Sequence, residues 1–292
     1  MAAAHERFDA PIPRRPVHGA SLRPEQCRRY PKELGWPRAP ASRIVIGMTT
    51  RIDPIADDIH RISTYVPEGP PGGITFNQFL VLGDEPLLVH TGMRSMFPAV
   101  RDAAASVLDP AELRWISSCH ASRPDEYGAL DLWEAIAPNA VPAHGFAGCF
   151  LCLEDVSDRT PRVLGDGEVL DLGGCRVRWL DTPHVPGPWE AGVLFEEETR
   201  TLFCGDLFSR TGPTDVTTVD DIVDAAIAHD QLMHGHAVTA HTGTTLRRLA
   251  ELEPRALALM HGPVYEGDCA HALDALAGYF DAALLAELRT PA

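Results

Sequence analysis

The sequence predicts an α/β fold in which two β-sheets face each other with helices outside. Apolar runs of strand length recur along the chain, and segments of helical period separate them. Their order also repeats, since two successive halves each begin with strands and end with helices. At 292 residues the chain is long enough to bury a sizeable core.

Taken in order, RIVIGM (43–48) and IHRISTYV (59–66) read as strands, and PEGPPGG (67–73) as a loop. ITFNQFLVLG (74–83) and PLLVHTG (86–92) read as a hairpin around Gly83, Asp84 and Glu85. Residues 94–108 carry helical spacing that Asp109 and Pro110 close. RWISSC (114–119) is a strand, EYGALDLWEAIA (126–137) a helix stopped by Pro138, and AVPAH (140–144) a short extended piece. A β-rich stretch follows: GEVLDLGG (167–174), CRVRWLDT (175–182), GVLFEE (192–197) and TRTLFCGD (199–206). Helices are expected at 219–234 and 239–252, a strand at ALALM (256–260) and a terminal helix at 269–288. No linker composition parts the halves, so residues 43–292 are expected to form one domain after a Pro- and Arg-rich extension, 1–42.

Charge narrows the partners. Net charge is −16, yet residues 1–42 hold eight Lys and Arg against four Asp and Glu. The remainder holds seventeen against thirty-seven, which disfavours nucleic acid and anionic membrane as partners. The N-terminus lacks the apolar core of a secretory signal, and no apolar run is long enough to span a bilayer. Seven cysteines, an odd number, fit reduced thiols and a cytoplasmic location.

The polar residues fall in a pattern. His120 ends RWISSC, His184 follows RWLDTP, Asp206 ends TLFCG and His261 ends LALM, with Asp125 in the loop after the first of these strands. Singly, each has an ordinary reading: a capping or surface histidine, a turn aspartate after Gly205, an N-cap at Asp125. Jointly, they place a metal-competent side chain at four separate strand ends, where a rigid scaffold can bring distant sequence together.

These stretches carry a resemblance. GGITFNQFLV, PLLVHTGM, SSCHASRPDEYGAL, DTPHVPGPWEAG, RTLFCGDLFS and ALALMHGP run in the order of the metallo-β-lactamase superfamily. The chain resembles most its flavodiiron and oxygen-binding di-iron branch, without a flavodoxin domain. The resemblance implies an αββα sandwich of two mixed β-sheets with a metal site at one edge. It also implies His184 as a ligand of a first metal, Asp206 as a bridge, and Asp125 and His261 as ligands of a second. A carboxylate has two oxygens and can span two cations, whereas an imidazole offers one nitrogen.

The opening motif departs from the branch's pattern, His-x-Glu-x-Asp. His120 stands five residues before Asp125, not four, and the glutamate position holds Ser122 or Arg123 depending on register. In one reading His120 keeps its role and Glu126 or water completes the first metal. In another the first metal is absent and the Arg123 guanidinium faces Asp206 in its place. In a third the site no longer binds metal.

The implied activity is a metal-dependent oxidoreductase or oxygenase, with one or two non-haem iron ions per chain, acting on dioxygen or a related small oxidant. Its electrons would come from a partner protein or a bound substrate. Zinc or manganese would instead suit a hydrolase of an ester, lactone or thioester, with Asp125 orienting water; a non-catalytic relative is the third reading. Asp125, Arg123 and His90 are the candidates for catalytic roles, and homodimerisation is in keeping with the resemblance. Cys204 reads as a small buried hydrophobe, and Cys149 and Cys152 have redox spacing without the matching context. His229, His234, His236 and His241 surround a helix break near Gly235 and read as a solvated helix end.

Overall fold

The computed structural model describes residues 47–233, 235 and 237–289. Two seven-stranded sheets form its centre. The first contains β1 (Thr49–Ala56), β2 (Ile59–Val66), β3 (Ile74–Val81), β4 (Leu87–Val89), β5 (Trp115–Ser117), β6 (Val141–Gly145) and β7 (Arg162–Leu164), side by side in chain order. Neighbours are antiparallel from β1 to β4 and parallel from β4 to β7. The second contains β8 (Val169–Asp171), β9 (Arg176–Asp181), β10 (Gly192–Glu196), β11 (Thr201–Phe203), β12 (Thr217–Thr218), β13 (Ala256–Ala258) and β14 (Val264–Tyr265). Its spatial order is β12-β14-β13-β11-β10-β9-β8, with β11 parallel to β13.

The helices are α1 (Phe97–Ala104), α2 (Pro124–Tyr127), α3 (Leu130–Ile136), α4 (Phe146–Gly148), α5 (Glu154–Val156), α6 (Val223–Met233), α7 (Thr242–Ala250) and α8 (Cys269–Arg289), with a π-helical turn at Cys149–Leu153 between α4 and α5. Alternation along the strands builds three apolar layers. Phe79 and Val89 face Trp179, Leu194 and Phe203 between the sheets, and the Phe79 and Phe203 rings meet edge to face at 5.3 Å. Leu80, Leu88 and Ile116 turn outward onto Val100 and Trp133, while Val193, Leu202 and Leu257 turn onto Leu246, Leu273 and Phe280. Strands buried on both faces read as continuous apolar runs, as LLV and TLF do. The result is the αββα sandwich of two mixed sheets that the resemblance implies.

Strand direction fixes the site. Since β4 is parallel to β5, His90 and Cys119–His120 leave the first sheet at the same edge. β9 and β11 are each antiparallel to β10, and β11 is parallel to β13, so the segments carrying His184, Asp206 and His261 likewise share an edge. The two sheets are then tied together there by β3. Asn77 donates its Nδ2 to the carbonyls of Leu259 and Gly262, both at 2.7 Å, and its backbone N–H bonds the Met260 carbonyl at 2.9 Å. Arg61, fully buried on β2, donates to the carbonyls of Gly262 and Asp215 and to the Thr214 hydroxyl.

Several local expectations change. The first described strand is Thr49–Ala56, and residues 43–46 of the expected RIVIGM strand lie outside the described residues. Pro54 disguises β1, but an edge strand tolerates the missing donor. The helix expected at 126–137 is two: α2 begins at Pro124, and the chain bends at Gly128–Ala129 before α3. Residues 145–160, between the AVPAH piece and the β-rich stretch, contain the α4, π and α5 turns. α6 starts at Val223 rather than 219, and α7 is shorter than 239–252.

Replacing Asn77 by Leu leaves the Leu259 and Gly262 carbonyls without that donor in a buried setting. A loss of about 2 kcal/mol is expected, read as a lowered urea midpoint with unchanged m-value.

Candidate metal centre

The pair Asp125-Glu126 lies in the single turn α2, and consecutive residues on a helix point about 100° apart. The two carboxylates therefore diverge. Glu126 turns inward and is fully buried. Its Oε2 accepts the backbone N–H groups of Cys119 and His120, both at 2.8 Å, and lies 3.3 Å from His90 Nε2. Its Oε1 pairs with His120 Nδ1. Burial opposes its charge, but His120 and His90 hold it well below the usual carboxylate range.

His120 is turned away from ligation by the same contacts. Its Nε2 meets the Pro186 carbonyl, which can only accept, so that nitrogen carries a proton. With Nδ1 donating to Glu126, both ring nitrogens are protonated. Burial pulls the imidazole down, yet the Glu126 carboxylate prevails and raises it to about 9.

Asp125 turns the other way, toward His261 and Asp206. His261 Nε2 lies 3.4 Å from Asp125 Oδ2 and 3.3 Å from Asp206 Oδ1. His261 Nδ1 donates to the Thr75 carbonyl at 2.9 Å, which fixes the ring, and Phe76 packs edge-on against it. Burial opposes protonation of His261, but the two facing carboxylates raise it to about 10. Asp206 is held far below the ordinary carboxylate range despite burial, by His261 first and then His120 and Arg123.

Arg123 closes the arrangement. Its Nη1 lies 2.9 Å from Asp206 Oδ2, on the opposite oxygen from His261. A methyl group on Gly187 would sit 2.9 Å from Arg123 Nη2 and 3.2 Å from His120 Nε2, so glycine there lets the 185–188 loop close over both side chains. Gly205, with φ +54°, plays the same part at the end of β11: a Cβ would stand 2.7 Å from that of Cys119. His90, His184 and Phe208 have positive φ as well, so backbone strain gathers around this edge.

Among the described residues, three groups have ligand atoms within 4.8 Å of one another: His90, Cys119 and Glu126; His120, Glu126 and Asp206; and Asp125, Asp206 and His261. In the first two, the Glu126 carboxylate is already shared among protein donors, and burial pushes the Cys119 thiol well up. The third differs. Asp206 Oδ1 is buried without a hydrogen-bond partner, and the Thr75 contact leaves His261 Nε2 as the donor atom for a cation. Two carboxylate oxygens and one imidazole nitrogen suit iron, manganese or zinc. The structure thus gathers His120, Arg123, Asp125, Glu126, Asp206 and His261. His184 is half-buried, its N–H on the Pro188 carbonyl, and it joins none of the three groups.

The sequence profile of the ODP family beta lactamases matches residues 74–262, the stretch that contains all of these side chains. The chain is a member of that family. This places it in the metallo-β-lactamase superfamily near the flavodiiron branch. It is 26% identical over 204 residues to "Putative diflavin flavoprotein A 3" of Nostoc sp., covering 67% of this chain and 35% of that protein. The chain therefore spans about a third of that relative's length. Among solved structures, a flavoprotein of Thermotoga maritima superimposes with a TM-score of 0.68 at 20% identity, over 80% of this chain and 62% of the other. Rubredoxin oxygen:oxidoreductase of Desulfovibrio gigas gives 0.62 at 18% identity, over 79% and 62%.

Asn77, Thr75 and the Pro186 carbonyl escaped the sequence reading of this ODP family chain. The signal for Asn77 was present: two adjacent amides, Asn77 and Gln78, interrupt an otherwise apolar strand. His234 and His236 lie outside the described residues, while His229 is on α6 and His241 precedes α7.

The His120–Glu126 pair sets a pH dependence. The histidine is raised from 6.5 to about 9, so its contribution is complete below pH 6.5 and is lost as pH rises through about 9. Glu126→Gln should cost about 3 kcal/mol at neutral pH and flatten that alkaline decline. Urea unfolding of both proteins between pH 6 and 10 measures each effect.

Proposed function

We propose that this chain is a metal-dependent oxidoreductase that holds one non-haem iron ion between Asp125, Asp206 and His261. It would act on dioxygen or a related small oxidant, with electrons from a partner protein or a bound substrate. The observation that carries the reading is the division of Asp206: one oxygen faces His261 and is free of hydrogen bonds, while the other is paired with Arg123.

The donor set would fit one ion. His120 offers no lone pair, and the guanidinium of Arg123 stands against the oxygen that would otherwise bridge to a second metal. A redox-active ion at the Asp125, Asp206 and His261 position would supply the one-electron chemistry that an oxidant such as dioxygen requires. Asp206 is kept ionised, as a ligand must be. His261 would release its Nε2 proton on loading while Nδ1 stays on Thr75. Arg123 supplies a positive charge beside Asp206 that would stabilise negative charge developing nearby.

The name of one structural neighbour, rubredoxin oxygen:oxidoreductase, supports oxygen chemistry over hydrolysis, and that of another, a flavo di-iron protein of Thermotoga maritima, supports iron. Among the described residues six cysteines are free thiols, which suits a reducing cytoplasm. No described helix is long and apolar enough to cross a membrane.

Elemental analysis of protein from iron-supplemented cells should give near one iron per chain. Near two irons would refute the guanidinium reading, and near zero would refute the metal site. Asp206→Ala should lose nearly all bound metal. With the iron-loaded protein reduced, adding oxygen should change the near-ultraviolet absorbance; a spectrum unmoved by oxygen, with iron present, would sink the oxidoreductase reading.

A further inference from the structure

A second feature adjoins the site. A cleft of about 300 Å³ is lined by Arg210, Thr211 and one face of α6, namely Ala225, Ala228, His229 and Leu232. The α6 residues recur at helical spacing, so the wall is a single stripe that is apolar apart from His229. The opposite wall begins beside the candidate metal centre: the Arg210 N–H donates to the His261 carbonyl at 2.9 Å, and the Ser209 N–H bonds the Asp206 carbonyl.

Among the described residues Arg210 is one of several arginines without an ion pair, and unlike Arg61, Arg114 and Arg159 it donates its guanidinium to no carbonyl. The chain carries 41 acidic residues against 25 lysines and arginines, and most of the described arginines find a carboxylate. Arg123 pairs with Asp206, Arg178 with Glu197, Arg200 with Glu253 and Arg247 with Asp281. Arg210 forms no ion pair among the described residues, and its Nε is buried without a hydrogen-bond partner. An unpaired guanidinium beside an apolar wall presents the two chemistries that a small amphiphilic anion would satisfy together.

We propose that this cleft binds a small organic carboxylate, its anionic end on Arg210 and its aliphatic body along Ala225, Ala228 and Leu232. As a substrate subsite, this rests on the metal-dependent reading above; as a binding site it does not. A free guanidinium selects charge, and the limited volume selects a short body, so the carboxylate should be preferred to a neutral molecule of the same shape.

Isovalerate and its neutral amide, isovaleramide, are suitable probes, titrated into the full chain by calorimetry or saturation-transfer NMR. Isovalerate should bind about ten-fold more tightly than the amide, and Arg210→Met should abolish that preference. Ala228→Trp, which fills the cleft from the other wall, should weaken isovalerate by a similar factor while leaving the melting temperature unchanged. The titration is repeated after chelator treatment, with metal per chain measured in each sample. Binding that persists in metal-free protein and depends on Arg210 supports the cleft, even if the metal reading fails. Binding that vanishes with the metal would place the anion on the ion and overturn the proposal. Equal affinities for acid and amide, or an unaltered Arg210→Met protein, would overturn it as well.

Discussion

The buried carboxylate of Glu126 organises the opening edge of the sandwich. Four donors from two segments converge on it: the backbone of Cys119 and His120, the ring of His120, and more distantly His90. An ionised group inside protein must be compensated, and here the compensation shapes the chain. It draws the end of β5 onto α2, aligns His120 with the Pro186 carbonyl, and leaves Asp125 and Arg123 on the opposite side of the turn. The divergence of two adjacent acids on one helical turn thus separates a structural anchor from a candidate ligand.

Charge at the site follows from that separation. Three carboxylates, Asp125, Glu126 and Asp206, face three cationic groups, Arg123, His120 and His261. Two of the cations are titratable imidazoles, but both nitrogens of His120 are hydrogen-bonded, to Glu126 and to the Pro186 carbonyl, whereas His261 can exchange its Nε2 proton for a metal and keep its bond to Thr75. The acidity of the molecule as a whole does not reach this edge.

The strand ends were legible because both sheets place parallel strands centrally, and doubly buried strands write themselves as unbroken apolar runs stopped by polar residues. Asp125, Asp206 and His261 could be picked out for that reason. The orientation of Glu126 could not be read, since it depends on where α2 begins, and a turn opened by Pro124 is too short to carry a period. β1 was hidden by Pro54, which only an edge position permits. The departure of His184 from the ligand groups has no local signature, because it arises from the path of the 182–188 loop in space.

The bond from His261 to Thr75 joins a residue at the end of one sheet to the backbone of the other. Asp206, by contrast, is carried by the second sheet alone, and Asp125 by the first. The three side chains are therefore referenced to two separate layers whose relative position is set by the Asn77 and Arg61 hydrogen bonds between them and by the packing of Phe79 on Phe203. A slide of one layer over the other by a fraction of an ångström would change the spacing of the triad before it disturbed any strand pairing. With the proposed ion bound, the centre would act as a gauge of sandwich registration, and substitutions deep between the sheets would be felt as altered ion selectivity at an edge they never touch.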